Sequence, residues 1–237
     1  MSTPTQNPTG TADPTAVEIT PRNRVSRARE RGHYDRATIN AVLDSAILCH
    51  LGYLDDGKPV VTPTVHWRDG DYVYWHGSNA TRYMKRSVDT EVCLTVTHLD
   101  GLVMARSAFH HSANYRSVMI FGKAEPIDEP AAKMAALQAM IEHLYPGRWD
   151  TLRPINDGEF AGTRVARVPI DLASAKIRSG PPIDDEPDYD LPIWSGVVPV
   201  HATFGEPVED PRQHPDAQRP EHELGFDRRF TGLPSAR

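Results

Sequence analysis

Cysteine is scarce: two residues in 237. Cys49 and Cys93 each sit in an apolar, strand-like run (AILCHLGYL and EVCLTVTHL), and the spacing predicts buried free thiols rather than a disulfide framework. C-x-x-C and H-E-x-x-H are both missing, so no dedicated zinc site is expected. No apolar run approaches the ~20 residues of a membrane helix. The first residues, MSTPTQNPTGTADPT, lack the apolar stretch of a secretory leader, so the expectation is a cytoplasmic protein away from membranes. Positive charge is also lacking: the net charge is −6, which argues against a molecule built to coat nucleic acid. The arginines at positions 22, 24, 27, 29 and 31 are interrupted by Glu30 and carry no aromatic residue before Tyr34. They read as a solvated, partly ion-paired segment, or as one lying across a dimer partner.

What is present is a normal globular balance, 39% hydrophobic and 24% charged. Residues 1–20 are rich in Thr and Pro without apolar periodicity and are expected to form a flexible tail. Residues 201–237 hold five prolines among many charges and are expected to be a second tail, disordered or strapped over a neighbouring surface. The folded body is expected over 21–200. Asp35 caps a helix over 36–45, with Ile39, Val42, Leu43 and Ala46 on one face. Strands over 47–54, 59–67 and 72–76 follow, joined by tight turns at Asp55–Lys58 and Asp69-Gly70. A short helix over 81–88 precedes strands 92–98 and 102–109, with a turn at Asp100-Gly101 between them. A strand over 115–126, a helix over 130–144 and strands 163–170 and 173–177 complete the body. Strand follows strand without crossover helices, which disfavours a Rossmann fold. The fold class is mainly β with helices, the antiparallel strands closing into a barrel.

Three segments carry chemistry. Gly52–Lys58 fits the spacing of a phosphate-binding P-loop, but Pro59 and a β-pattern follow where Ser or Thr and a helix are required, so it reads as a hairpin turn. In WHGSNATR (75–82) a strand ends, hydroxyl residues follow and a short helix opens. Ser78, Thr81 and Arg82 offer what a phosphate dianion needs; by itself the segment reads as well or better as an ordinary capped helix. In HHSANYRS (110–117) nearly every residue can hydrogen-bond, between strands rich in Val, Met and Ile. Ser112, Asn114 and Arg116 suit the polar edge of a flavin, or else a water-exposed hairpin. His110 and His111 are adjacent on a strand pattern and would point to opposite faces, which argues against one shared metal ion. In PIWSGVVP (192–199), Trp194 either covers an apolar patch or stacks near an aromatic cofactor.

Taken in order, RARERGHYD (27–35), HGSNATR, ARSAFHHSANYRSV and PIWSGVVP resemble the flavin-nucleotide-binding, nitroimidazole-resistance-like branch of the pyridoxamine 5'-phosphate oxidase superfamily, over about residues 20–200. The resemblance implies a split β-barrel homodimer with two FMN sites in the groove between subunits. Carried over by position, Ser78, Thr81 and Arg82 match the phosphate region. Pro63 and Thr64 match positions beside the isoalloxazine ring. Ser112, Asn114, Arg116 and Ser117 match the polar hairpin, and Trp194 matches a C-terminal aromatic near the flavin. His76 and His66 are the positions to face substrate. Many relatives have Arg-Lys where this chain has Arg82-Tyr83, so one phosphate cation is missing, with Lys85 or Arg86 one turn on in its place. The Arg-Leu-x-Pro ending of true pyridoxamine phosphate oxidases is also missing.

The reading that follows is an FMN-dependent oxidoreductase, taking hydride from a nicotinamide donor and reducing a small electron-poor acceptor. In it Arg116 stabilises negative charge on the reduced ring, and no side chain acts as a nucleophile. Two alternatives stand beside it. One is a non-catalytic carrier of flavin, deazaflavin or haem, with His66, His76, His110 and His111 as possible axial ligands. The other is a pyridoxamine 5'-phosphate oxidase.

Overall fold

The computed structural model describes residues 16–218. In chain order its elements are β1 (Gly32–His33), α1 (Arg36–Asp44), β2 (Leu48–Asp55), β3 (Lys58–Asp69), β4 (Tyr72–Ser78), α2 (Arg82–Ser87), β5 (Glu91–Met104), β6 (Ser112–Lys123), β7 (Glu125–Pro126), α3 (Pro130–Leu144), α4 (Asp157–Gly162), β8 (Thr163–Pro169), β9 (Ala173–Arg178) and β10 (Gly196–Pro199). The ten strands form one antiparallel sheet in the order β1-β9-β6-β5-β2-β3-β4-β8-β7, with β10 added to β5. β8 and β9 are separated only by the turn Ile170–Leu172, yet β8 pairs with β4 and β9 with β6. The chain itself therefore closes the sheet into a barrel. On that seam β6 approaches β8 through Gly122, where a Cβ would stand 3.0 Å from Val168 Cγ2. No hydrogen-bonded ladder joins β6 to β8 among the described residues. This is a split β-barrel.

Strand alternation divides the side chains. Cys49, Leu51 and Tyr53 of β2, Val73 and Trp75 of β4, Leu94 and Val96 of β5, and Val118 and Ile120 of β6 fill the interior. Ile39, Val42 and Leu43 of α1 and Met84 of α2 complete that core. The helix α1 starts where expected because Asp35 accepts a bond from Thr38 N at 2.8 Å. A second cluster forms outside the barrel, where Ala136 and Leu137 of α3 cover Trp67, Tyr74 and Val165.

Several expectations need correction. The two strands expected on either side of Asp100-Gly101 are one strand, β5, with a bulge between Leu99 and Gly101. The β6 ladder resumes at Gly101, where the β10 ladder begins and the two strands lie close: a Cβ on Gly101 would fall 2.9 Å from Val197 Cγ1. β5 then ends at Met104, and 105–111 is a loop with a short 3-10 turn at Ala108–His110. Residues 16–20 are not a tail, since Val17 is buried and donates its N–H to Tyr34 O at 2.8 Å. Residues 1–15 and 219–237 of the two expected tails lie outside the described residues; 201–218 carry no helix or strand and are exposed. Of the two thiols, both free, Cys49 is buried but Cys93 is only half-buried.

Candidate functional site

The segment expected to hold phosphate closes β4 and opens α2. Ser78 Oγ accepts from Ala80 N at 3.2 Å, and Thr81 Oγ1 donates to Ser78 O at 2.8 Å. Both hydroxyls thus shape the turn while Ser78 stays exposed. Gly77 is required here, because a Cβ would collide with Tyr83 Oη and stand 2.8 Å from Met84 Cγ. The Tyr83 hydroxyl donates to His76 O and so ties α2 back to β4. Arg82 pairs with Asp55, and Arg86 lies 3.0 Å from the same carboxylate and 3.1 Å from Asp56. Asp55 is a buried carboxylate whose side chain is 4% exposed, while Arg82 is 73% exposed. One buried anion therefore gathers two guanidinium groups one turn apart. Gly77→Ala is expected to lower stability by about 1–3 kcal/mol by displacing Tyr83 and α2. Urea unfolding measures it, and adding Tyr83→Ala should recover much of the loss.

The polar segment lies elsewhere. Asn114 is buried, donating to Gly180 O at 3.1 Å and accepting from Arg178. Arg116 holds Asp100 with Nε at 2.9 Å and Nη2 at 2.8 Å, and its Nη1 is buried without a hydrogen-bond partner among the described residues. Ser117 Oγ donates to Lys176 O at 3.2 Å. Three of the four polar residues are thus engaged inside the chain, and Ser112 alone is exposed. Trp194 is 66% exposed and packs beside Gly196 at the start of β10. Val103 pairs with both Ser112 and Val197, which sets Trp194 and the 110–112 segment on either side of the end of β5.

Within one chain these groups do not converge. Arg82 sits at the Asp55 end of β2, level with the start of β5, whereas Arg116 lies opposite His98. From Glu91 to His98, at ~3.3 Å per strand residue, is roughly 23 Å. Between the two ends runs the outer face of β2, β3, β5 and β6. Pro63 lies on it, in register with His50, which is itself opposite Thr95 of β5. Thr64 is in register with Cys49 and faces inward with it. The outer face exposes Leu48 (55%), Leu54 (60%), Val61 (64%) and Met119 (40%).

Of the two histidines expected to face substrate, one is fully buried and the other half-buried. His66 is fully buried, and its Nε2 donates to Leu43 O at 3.1 Å. Burial pushes its ring down to about 4, against the partial opposition of that carbonyl. His76 leans on Trp67 with ring centroids 6.1 Å apart, and burial lowers it too. His110, Asp184 and Asp188 bring three possible ligand atoms within 4.8 Å of one another, but Arg106 already occupies Asp184, with N at 2.9 Å and Nη1 at 3.0 Å. A cavity of about 340 Å³ between α3 and the 149–155 loop, lined by Met134, Trp149, Leu152 and Ile155, contains none of the expected site residues. The Asp55–Arg86 ion-pair cluster and the β10 strand were not legible as such in the sequence. Their partners are far apart along the chain.

A split barrel with a paired-guanidinium end and an uncovered apolar outer face defines the class of protein. Residues 35–177 match the family model of pyridoxamine 5'-phosphate oxidase, and the chain belongs to that family. It is similar to the flavocytochrome Anf3 from Azotobacter vinelandii, with 46% identity over 86% of this chain and 95% of the other and a TM-score of 0.83. It is also similar to an FAD and haem binding protein from Mycobacterium smegmatis, with 32% identity over 81% and 95% and a TM-score of 0.78. A candidate 5-nitroimidazole antibiotic resistance protein from Bacteroides thetaiotaomicron shares the fold, at 24% identity over 62% and 86% and a TM-score of 0.51. The comparison with curated proteins finds no match.

Proposed function

We propose that this chain is a homodimeric oxidoreductase that binds a flavin nucleotide, and a haem beside it. The observation that carries the flavin reading is the pair Arg82 and Arg86 gathered on Asp55 at the rim of an exposed apolar sheet face. Guanidinium groups held in place by a carboxylate suit a phosphate, and an apolar face at Pro63 suits a planar ring. Likeness at 46% identity to a flavocytochrome, and at 32% to an FAD and haem binding protein, supports a flavin nucleotide of either length, FMN or FAD, together with haem. When bound, the flavin supplies two-electron and the haem one-electron redox chemistry.

The homodimer reconciles the separated groups. A two-fold axis lying in the plane of the outer face, across the strands, turns that face onto its copy and reverses strand direction, setting the Arg82 end of one copy beside the 110–117 and Trp194 end of the other. In that arrangement Arg82 and Arg86 hold the phosphate, and Pro63 and the apolar outer face exclude water from the ring. Ser112 and Trp194 of the other copy close the groove. Arg116, 22% exposed at its side chain and held by Asp100 through Nε and Nη2, positions its strand.

Purified protein is expected to show the two near-visible flavin bands, with the released cofactor identified by mass. Arg82→Ala should weaken FMN or FAD binding by roughly tenfold, about 1.4 kcal/mol, and leave riboflavin, which lacks the phosphate, nearly unchanged. A protein that stays colourless after incubation with FMN and FAD would overturn the flavin reading. Equal losses for riboflavin and FMN would remove Arg82 from the phosphate site.

A further inference from the structure

An iron-binding histidine needs a neutral ring nitrogen free to meet the metal, and its other ring N–H is typically held by a carbonyl or carboxylate. Four histidines were eligible from sequence. His66 is fully buried, and His76 is half-buried with its ring against Trp67. His110 is turned inward, its Nδ1 on Ser107 Oγ at 2.8 Å and its Nε2 3.9 Å from Asp185. His111 alone of the four is exposed, and its Nδ1 lies 2.9 Å from Ser107 O. A carbonyl oxygen only accepts, so Nδ1 carries the proton. Nε2 then holds the ring's lone pair.

Exposed apolar residues lie near His111 at the end of β5, where Phe109 sets its ring against His110 with centroids 5.3 Å apart. Phe109 is 87% exposed, Trp194 66%, Leu102 50% and Met104 39%. Leu102 and Met104 flank the buried Val103 and share one face of β5. Trp194 approaches from the β10 side and His111 from the β6 side. Two strand spacings, roughly 10 Å, separate them, enough for a flat ring system to lie across the end of β5. Exposed aromatic and thioether groups gathered at one end of β5 mark a binding surface rather than scattered surface residues.

We infer that His111 is an axial haem ligand: Nε2 binds the iron, the Ser107 carbonyl fixes the tautomer, and Phe109, Met104 and Trp194 seat the macrocycle. The inference rests on the haem part of the proposed function.

The test is titration of the purified full-length protein with hemin, followed by absorption and EPR of the ferric and ferrous forms. Wild type is expected to bind with the spectrum of a histidine-ligated iron. His111→Ala should lose that signature and weaken hemin binding by well over the roughly 10–100-fold that a supporting contact alone is worth. Added imidazole should restore the spectrum. His110→Ala should keep it, and unchanged circular dichroism and flavin content would show that both variants fold. Wild-type protein that takes up no hemin overturns the haem reading and this assignment together. Wild-type uptake with an unaltered His111→Ala spectrum, or loss of the signature in His110→Ala instead, overturns the assignment and leaves the haem reading standing.

Discussion

Leu48→Glu combined with Val61→Glu is expected to yield a folded monomer that no longer retains flavin. Both residues are already more than half exposed in the single chain, at 55% and 64%, and neither belongs to the barrel core. The substitutions should leave the fold's own stability almost unaltered, as surface changes usually do, within about 0.5 kcal/mol. In a dimer formed through the outer face the same positions are covered. Each substitution then forfeits about 1.5–3 kcal/mol of apolar burial and desolvates a carboxylate facing apolar neighbours, which costs more. The sum exceeds the roughly 4 kcal/mol that separates a dimer a thousandfold below its dissociation point from one at it. Flavin goes with the dimer, because Arg82 at one end of β5 and the Trp194 end at the other cannot reach one small molecule from a single copy. Light scattering coupled to size exclusion, read with the absorbance of the eluting peak, decides it. A double variant that remains dimeric and coloured would place the interface elsewhere.

That outer face shows where sequence reading reaches its limit. The strands were legible because β2 alternates cleanly, β2 to β4 are separated by Asp-Gly turns, and β8 and β9 by a three-residue connection, all local signals. α1 and α3 were legible from a cap and a periodic apolar stripe. The bulge in β5 was not, because Asp100-Gly101 carries the local chemistry of a hairpin. Only the distant strands on either side, β6 and β10, hold it extended. α4 was missed although Asn156 and Glu159 form a reciprocal capping box; six residues give no periodicity to notice. The site divides the same way. Ser78, Thr81 and Arg82 fall together because they adjoin in sequence. Arg86's share in Asp55 and the inward engagement of Asn114 by Arg178 depend on contacts between segments that no spacing encodes. His111 was set beside His110 as an equal, since nothing in two adjacent histidines says which one Ser107's carbonyl will hold.

His66 provides the pH dependence. Its Nε2 donates to Leu43 O at 3.1 Å, while Nδ1 is buried with no hydrogen-bond partner among the described residues. A second proton would have to sit on Nδ1, away from water and unpaired, which is the physical reason burial lowers the ring to about 4 from its ordinary 6.5. The unfolded chain takes up this proton as the pH falls through 6.5, and the folded chain does not until about 4. Between those values the unfolded state binds more protons, so stability falls as the solution is acidified. The loss begins near pH 6.5, is complete near pH 4, and does not appear above pH 6.5. At about 1.4 kcal/mol per pH unit of displacement, His66 accounts for about 3 kcal/mol over the whole window. His76 and His98 are displaced in the same direction, His98 by burial and then by the Arg116 charge beside it, so they add to the slope. Urea unfolding at fixed protein concentration between pH 7.5 and 4.5, for wild type and His66→Gln, measures the term. Glutamine does not titrate, so the variant should be less stable at neutral pH yet lose less on acidification, the two curves converging toward pH 4. Parallel curves would mean that His66 is protonated as readily inside the protein as outside it, and that Nδ1 has a partner or a path to water.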